Sequence, residues 1–304
     1  MKLEGVHHVT CITGDAQRNV DFYVGTLGLR LVKRSVNQDD PSVYHLFYAD
    51  EHAEPGSDLT FFEYRGAQQG RAGAGMVHRI CWRVGSEEAL DFWAERIGEV
   101  ERGDGWLRFH DFEGLEHELR MAQVPDAPLV AEHPEVPSEL ALQGFDGVRA
   151  YAQDPEASRP LFEEMLEFEP RGDTEWEIRG EQRGGTYVFD TPPAERGIPG
   201  AGTVHHVAWA SPMEEHQAWR DRLAQAGAGV TPVIDRYYFR SIYFREPSGV
   251  LFEIATIGPG FDVDEPLESL GTEIVLPPNY QHLREQVEGL LTPLHNPRDD
   301  WARR

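Results

Sequence analysis

Two stretches of this chain open alike: GVHHVTCIT at residues 5–13 and TVHHVAWAS at residues 203–211. Two more, MVHRICWRV at 76–84 and FDGVRAYAQ at 145–153, keep the Val, Ile and aromatic pattern of strands but not both histidines. Each opening leads into helix-start chemistry and then apolar residues at helical spacing. Asp15 precedes Val20, Phe22, Tyr23 and Leu27, and Ser86 precedes Ala89, Leu90, Phe92 and Trp93. Asp154-Pro155 precedes Leu161, Phe162 and Met165, and Ser211-Pro212 precedes Ala218, Trp219 and Leu223. Strand-like runs close every unit: VYHLFYA and DLTFFEY, GWLRFHDF and GLEHELRM, EWEIRG and TYVFD, SIYFRE and GVLFEIA.

This periodicity predicts an α+β fold of four βαβββ modules. One helix on a few mixed strands cannot cover both faces of its own sheet. The modules are therefore expected to pair into two open, curled mixed sheets around cavities, with helices outside. Residues 1–122 hold modules 1 and 2, 123–143 form a Pro- and Gly-containing linker, and 144–260 hold modules 3 and 4. Residues 261–304 form a tail with a helix from Tyr280 to Leu291.

Composition narrows the function. The 304 residues include 53 acids against 28 Lys and Arg, a formal charge of -25, and only Lys2 and Lys33 are lysines. With no basic cluster, neither nucleic acid nor a membrane surface is an expected partner. Scarce lysine with acidic excess reads as a surface built for a salt-rich cytoplasm, ahead of a merely acidic mesophilic enzyme. The N-terminus lacks a charged leader with an apolar stretch, no apolar run is long enough to span a bilayer, and Cys11 and Cys81 sit unpaired in apolar runs. A cytoplasmic protein is expected, with a homo-oligomer left open.

Overlaying the repeats shows where chemistry survives. At the second position of the His pair, module 1 has His8, module 2 Arg79, module 3 Gly147 or Val148, and module 4 His206. In the last strands Glu63, Glu118 and Glu253 recur, whereas module 3 has Val188 or Phe189. Modules 1 and 4 can thus share a metal through His8, His206 and Glu253, with Glu63 a candidate fourth ligand. Two imidazoles and one carboxylate with open positions suit a non-haem Fe(II) or Mn(II) oxygenase. A fourth ligand would close the site toward the Ni(II) or Zn(II) arrangement of an isomerase.

On these residues the chain resembles the vicinal oxygen chelate superfamily, which includes glyoxalase I, fosfomycin-resistance proteins and type I extradiol ring-cleaving dioxygenases. Tyr243-Phe-Arg-Glu-Pro-Ser-Gly-Val-Leu-Phe-Glu253 resembles the extradiol signature, in which the Tyr bonds the substrate hydroxylate and the Glu binds iron. That signature expects an acid/base His seven residues before the Tyr, where this chain has Arg236. An arginine cannot act as a base near neutral pH, but it can hold an anionic ring oxygen.

The departure is similar to the hydroquinone 1,2-dioxygenase branch, as are HHVT before Thr13-Gly-Asp15, the run Phe22 to Lys33, SDLTFFEY and the closing Leu276 to Leu294. By this resemblance His8, His206 and Glu253 are ligands of Fe(II) or Mn(II), and His7, Thr10, His205, Arg236 and Tyr243 line the pocket. His205 or His7 would move protons while Tyr243 and Arg236 hold the substrate oxygen. The implied reaction adds both atoms of O2 to an aromatic diol of the hydroquinone type. The alternatives are a glyoxalase-like isomerase or lyase using Ni(II), Co(II) or Zn(II), and a metal-free small-molecule-binding resistance protein.

Overall fold

The computed structural model describes residues 1–301 and contains the four modules in order. Module 1 comprises β1 (Val6–Thr13), α1 (Ala16–Val20) continued by a π-helical turn (Asp21–Thr26), β2 (Arg30–Asn37), β3 (Asp40–Ala49) and β4 (Asp58–Glu63). Module 2 comprises β5 (Val77–Val84), α2 (Glu87–Ile97), β6 (Glu101–Gly103), β7 (Trp106–His110) and β8 (Glu116–Met121). Module 3 has β9 (Phe145–Tyr151), β10 (Glu169–Pro170), β11 (Glu175–Arg179) and β12 (Gly184–Asp190). Module 4 has β13 (Thr203–Ser211), α3 (His216–Gln225), β14 (Ile234–Asp235), β15 (Arg240–Arg245) and β16 (Leu251–Thr256).

The expected caps form: Asp15 accepts from the Arg18 N–H at 3.1 Å, and Ser86 from the Ala89 N–H at 3.2 Å. Module 3 lacks a true α-helix and carries a 3₁₀ turn (Pro155–Ser158) and a π turn (Leu161–Met165). Pro160 explains this, since it has no N–H to return to the carbonyl four residues earlier.

The modules do not pair as neighbours in the chain. One sheet runs β14-β15-β16-β13-β1-β4-β3-β2 and joins module 4 to module 1, while the other runs β10-β11-β12-β9-β5-β8-β7-β6 and joins modules 3 and 2. The division of the chain at residues 123–143 is therefore not the division between the sheets. Within each module the first and last strands are parallel, and across each seam the two first strands are antiparallel. One continuous core draws on all four modules and includes the fully buried Trp82, Trp93, Trp176, Trp209 and Trp219. Residues 123–143 form no helix or strand, yet Ala131, Val136, Ala141 and Leu142 are buried.

The tail returns across module 1 before and through α4 (Arg284–Leu290), with α5 (Arg298–Trp301) at its end. The expected helix from Tyr280 splits into a 3₁₀ turn (Pro278–Leu283) and α4. Tail and sheet approach closely at Gly271 (φ +74°), where a Cβ would fall 1.9 Å from the Leu31 carbonyl oxygen. Lys33 is the anchor. Its ammonium is fully buried, donates to the Phe261 carbonyl at 3.0 Å and to Asp264 at 2.8 Å, and pairs with Glu265. Tyr238, which lines the cavity described below, donates to the same Asp264 at 3.1 Å. Among the described residues no helix is long and apolar enough to cross a membrane.

Replacing Lys33 by Met would remove the buried cation that Asp264 and Glu265 share. Lys33→Met is expected to cost on the order of 3 kcal/mol in urea unfolding, and to expose the tail to limited proteolysis before the sheets.

Candidate metal centre

The seam between β1 and β13 contains two irregularities. Val6 and His8 face Trp209 and Ala208, so His7 is an extra residue in β1. Thr10 and Cys11 face His206 and Val204, so His205 is an extra residue in β13. A bulge of this kind re-aims the neighbouring side chains, and here it lets two adjacent histidines approach each other instead of pointing to opposite faces. His7 Nδ1 lies 2.9 Å from His8 Nδ1, and His205 Nδ1 lies 2.8 Å from His206 Nδ1.

Beyond the bulges His8 Nε2 lies 3.3 Å from His206 Nε2, and Glu253 Oε2 lies 3.2 Å from the first and 2.9 Å from the second. All three residues are buried, and neither Glu253 oxygen has a hydrogen-bond donor aligned on it. Two imidazole edges and a carboxylate converging in this way bring three potential donor atoms to one point, as a cation site requires. The spacings also fit: ligand atoms about 2.1 Å from a metal at right angles are about 3.0 Å apart, against about 3.4 Å for a tetrahedron. The residues present therefore suit a divalent cation held on one face, with its other positions open.

The second ring nitrogens complete the arrangement. If Nε2 of His8 ligates, its Nδ1 must carry the proton and donate to His7 Nδ1, and His7 Nε2–H then donates to the Thr256 carbonyl at 3.2 Å. Burial, reinforced by the nearby His8, lowers the His7 imidazole to about 3, so it stays neutral as this chain requires. Burial alone would raise the Glu253 carboxyl, but the His8 and His206 imidazoles outweigh it and hold it well below the usual carboxylate range.

A cavity opens on the cluster, lined by His8, His206 and Glu253 together with Thr10, Arg236 and Tyr243. Tyr243 lies directly across from Glu253 in the β15–β16 register, its ring 5.9 Å from that of His206. Arg236 stands 5.5 Å over the Tyr243 ring and is held by Asp39 through two bonds of 3.1 and 2.9 Å. His7 and His205 do not line this cavity. His7 lies behind His8, beside a second cavity with His52 and Pro259, and His205 is exposed.

Glu63 is in the wrong place for a ligand. The parallel registers pair Ala208 with Glu253 in module 4 and Thr10 with Thr60 in module 1, so the counterpart of Glu253 is Thr60. Glu63 pairs with Thr13, five residues from the His8–Asp58 pair and so about 16 Å along the strand. It accepts the Ala16 N–H at the start of α1 at 3.0 Å. The sequence overlay matched carboxylates by type, whereas hydrogen-bond register decides which residues are equivalent.

The same registers identify what replaced the site in the other sheet. Arg79, Glu118, Gly147 and Val188 stand where His8, Thr60, His206 and Glu253 stand here. Arg79 binds Glu118 at 3.1 Å, and Arg108 and Arg120 close around the same buried carboxylate.

Two residues escaped the sequence reading. Asp58, opposite His8, is buried with both oxygens unpartnered, and burial raises its carboxyl to about 7. It lies with His7 and His8 in a second cluster able to hold a cation. His45 lines the cavity beside Phe47; its alternation with Phe47 in VYHLFYA was the available signal.

Comparison with known proteins agrees with this architecture. A family model, Glyoxalase/Bleomycin resistance protein/Dioxygenase superfamily, matches residues 5–133 and 144–254. The chain belongs to that superfamily. It is 40% identical over 304 residues to MhqO of Bacillus subtilis (strain 168), provisionally named a ring-cleaving dioxygenase, covering 96% of this chain and 97% of the relative. It is 34% identical over 311 residues to the chlorohydroquinone/hydroquinone 1,2-dioxygenase of Sphingobium indicum, covering 94% and 95%. A solved Bacillus subtilis structure described as a dioxygenase superposes with a TM-score of 0.90 at 38% identity, covering 97% of this chain and 98% of that one. Glyoxalase I of Zea mays shares the fold at a TM-score of 0.59 and 14% identity, covering 89% and 97%.

These positions separate by metal content. Glu253→Gln is expected to lower retained metal at least tenfold after dialysis, while Glu63→Gln retains it and loses about 1 kcal/mol of stability through the α1 cap.

Proposed function

We propose that the protein is an Fe(II)-dependent ring-cleaving dioxygenase, with Mn(II) the alternative metal. Its substrate is an aromatic diol of the hydroquinone type, and both atoms of O2 are added beside a ring hydroxyl. The observation that carries this reading is the three-ligand face of His8, His206 and Glu253, open toward a cavity in which Arg236 and Tyr243 flank Glu253. The names of the relatives support the same chemistry.

A redox metal held by His8, His206 and Glu253 would supply Lewis-acid activation of the diol and electron transfer to O2. The chain's own groups do the rest. Tyr243 and Arg236 converge on the place where an ionised ring oxygen must sit, one as a hydroxyl donor and the other as a fixed positive charge. Asp39 pins the guanidinium from the solvent side, so its plane is set before substrate enters. Phe47, Phe62 and Phe239 supply apolar walls that keep competing water from the ring. His7 and His205 act through the ligands by fixing their tautomers, because neither reaches the cavity. The isomerase alternative requires a fourth protein ligand, and the displacement of Glu63 weighs against it. We also place the protein in a salt-rich cytoplasm, a reading that rests on its charge alone.

Fe(II)-reconstituted protein is expected to consume O2 with hydroquinone or chlorohydroquinone faster than with catechol. Faster uptake on catechol, or recovery of bound Zn with no uptake on any diol, would overturn the assignment. Arg236→Met should lower kcat/KM for hydroquinone roughly 10–100-fold, the loss expected for a hydrogen bond to a charged group. If the surface is salt-adapted, the melting temperature should rise steadily between low and molar salt as the repulsion among 53 acids is screened.

A further inference from the structure

The flanks of the sheet carry different chemistry. The metal cluster occupies the adjacent strands β16, β13 and β1; Tyr243 lies on β15 at one side, and His45 lies on β3, two strands beyond β1 at the other. At roughly 4.8 Å per strand, His45 stands about 10 Å along the sheet from the strand carrying His8, and the same cavity reaches both. A diol with adjacent hydroxyls keeps both oxygens beside the metal. A para-diol must send its second hydroxyl across the ring, away from the metal and toward another wall.

His45 is built as a hydrogen-bond acceptor on that wall. Its ring is held between Phe47 and Phe62, with centroids 3.9 and 4.4 Å away. Thr60 Oγ1 donates to Thr10 Oγ1 at 2.8 Å, so its proton is committed. With Thr60 Oγ1 as the donor to Thr10 Oγ1, the 2.9 Å contact between His45 Nε2 and Thr60 Oγ1 has the histidine as donor. In that arrangement Nε2 carries the proton, and Nδ1, which has no partner among the described residues, is left as an acceptor. Burial, with the His8 and His206 imidazoles nearby, holds the ring neutral, well below its ordinary titration range.

We propose that His45 is a specificity-determining residue that accepts a hydrogen bond from the substrate's second hydroxyl, its tautomer set by the Thr60–Thr10 pair. The proposal rests on the dioxygenase reading and adds what that reading leaves open: why a para-diol is selected. Thr60 acquires a role as well. It stands where module 4 places its metal-binding glutamate, and it fixes the proton of the selecting histidine.

The test is anaerobic binding to the Fe(II)-loaded protein, comparing hydroquinone with 4-methoxyphenol, which keeps the second oxygen but has no proton to give. Wild type should bind hydroquinone about tenfold more tightly, the worth of one such bond. His45→Phe should weaken hydroquinone about tenfold and leave 4-methoxyphenol within twofold, while His45→Gln, which retains an acceptor, should recover much of the difference. Thr60→Val should reduce the discrimination without removing 4-methoxyphenol binding. Equal weakening of both ligands in His45→Phe with wild-type metal content, or no change in either, would overturn the proposal. Wild-type discrimination that depends on His45 without O2 consumption on any diol would instead sink the dioxygenase reading and leave the His45 assignment standing.

Discussion

In an unbroken strand His7 and His8 would project to opposite faces, and so would His205 and His206. The extra residue at His7 in β1 and at His205 in β13 lets each pair meet through Nδ1 instead. That contact fixes which nitrogen of each inner imidazole is free to bind a cation. It also gives the doublet a purpose: if the inner imidazole ligates through Nε2, the outer histidine is the acceptor that keeps it neutral. The antiparallel seam then brings the two inner rings to 3.3 Å, and the parallel β13–β16 register delivers Glu253 to them. The convergence of His8, His206 and Glu253 on one cavity follows from two bulges on adjacent strands.

The other sheet is a natural control for this account. It keeps both bulges, now at His78 and Asp146, so the backbone irregularity belongs to the fold rather than to the metal. Its ligand positions carry Arg79, Gly147 and Val188, and Glu118 takes the place of Thr60. A guanidinium thus supplies permanently the positive charge that a bound cation would supply in the first sheet. Once Arg79 is in place, the buried Glu118 needs no metal, and the surrounding arginines hold it below the usual carboxylate range against its burial.

Much of this was legible in the sequence because strand and helix periodicities repeat four times. Asp15 and Ser86 cap their helices where expected, and the His8–His206–Glu253 set follows from comparing only the openings and last strands. Glu63 was misread because residue type does not encode register: it lies three residues beyond Thr60, the structural counterpart of Glu253, and at that end of the strand it caps α1. The pairing of module 1 with module 4 was implied by shared chemistry but not by chain order, since sheet seams are set by which edges meet. Asp58 and His45 were missed for a different reason, although the alternation of His45 with Phe47 was a partial signal. Their roles depend on cavity shape and on unpartnered atoms, which exist only once β3, β4 and the tail are packed.

The net charge of -25 and the chemistry of the site are reconciled by distance and screening. Surface carboxylates act through water and salt, and beyond roughly 8 Å at physiological ionic strength their field is largely lost. A divalent cation held by two neutral imidazoles and one carboxylate keeps a net positive charge in a buried setting where attraction is little screened. Arg236 adds a second positive charge beside it, and its partner Asp39 lies exposed, where solvent weakens its opposing field. An acidic protein can therefore present a locally cationic cavity once a cation is bound, and in the proposed reaction that would favour ionisation of a neutral diol as it enters. The surface charge is free to serve solubility without opposing that step, because the two fields operate in different dielectric surroundings.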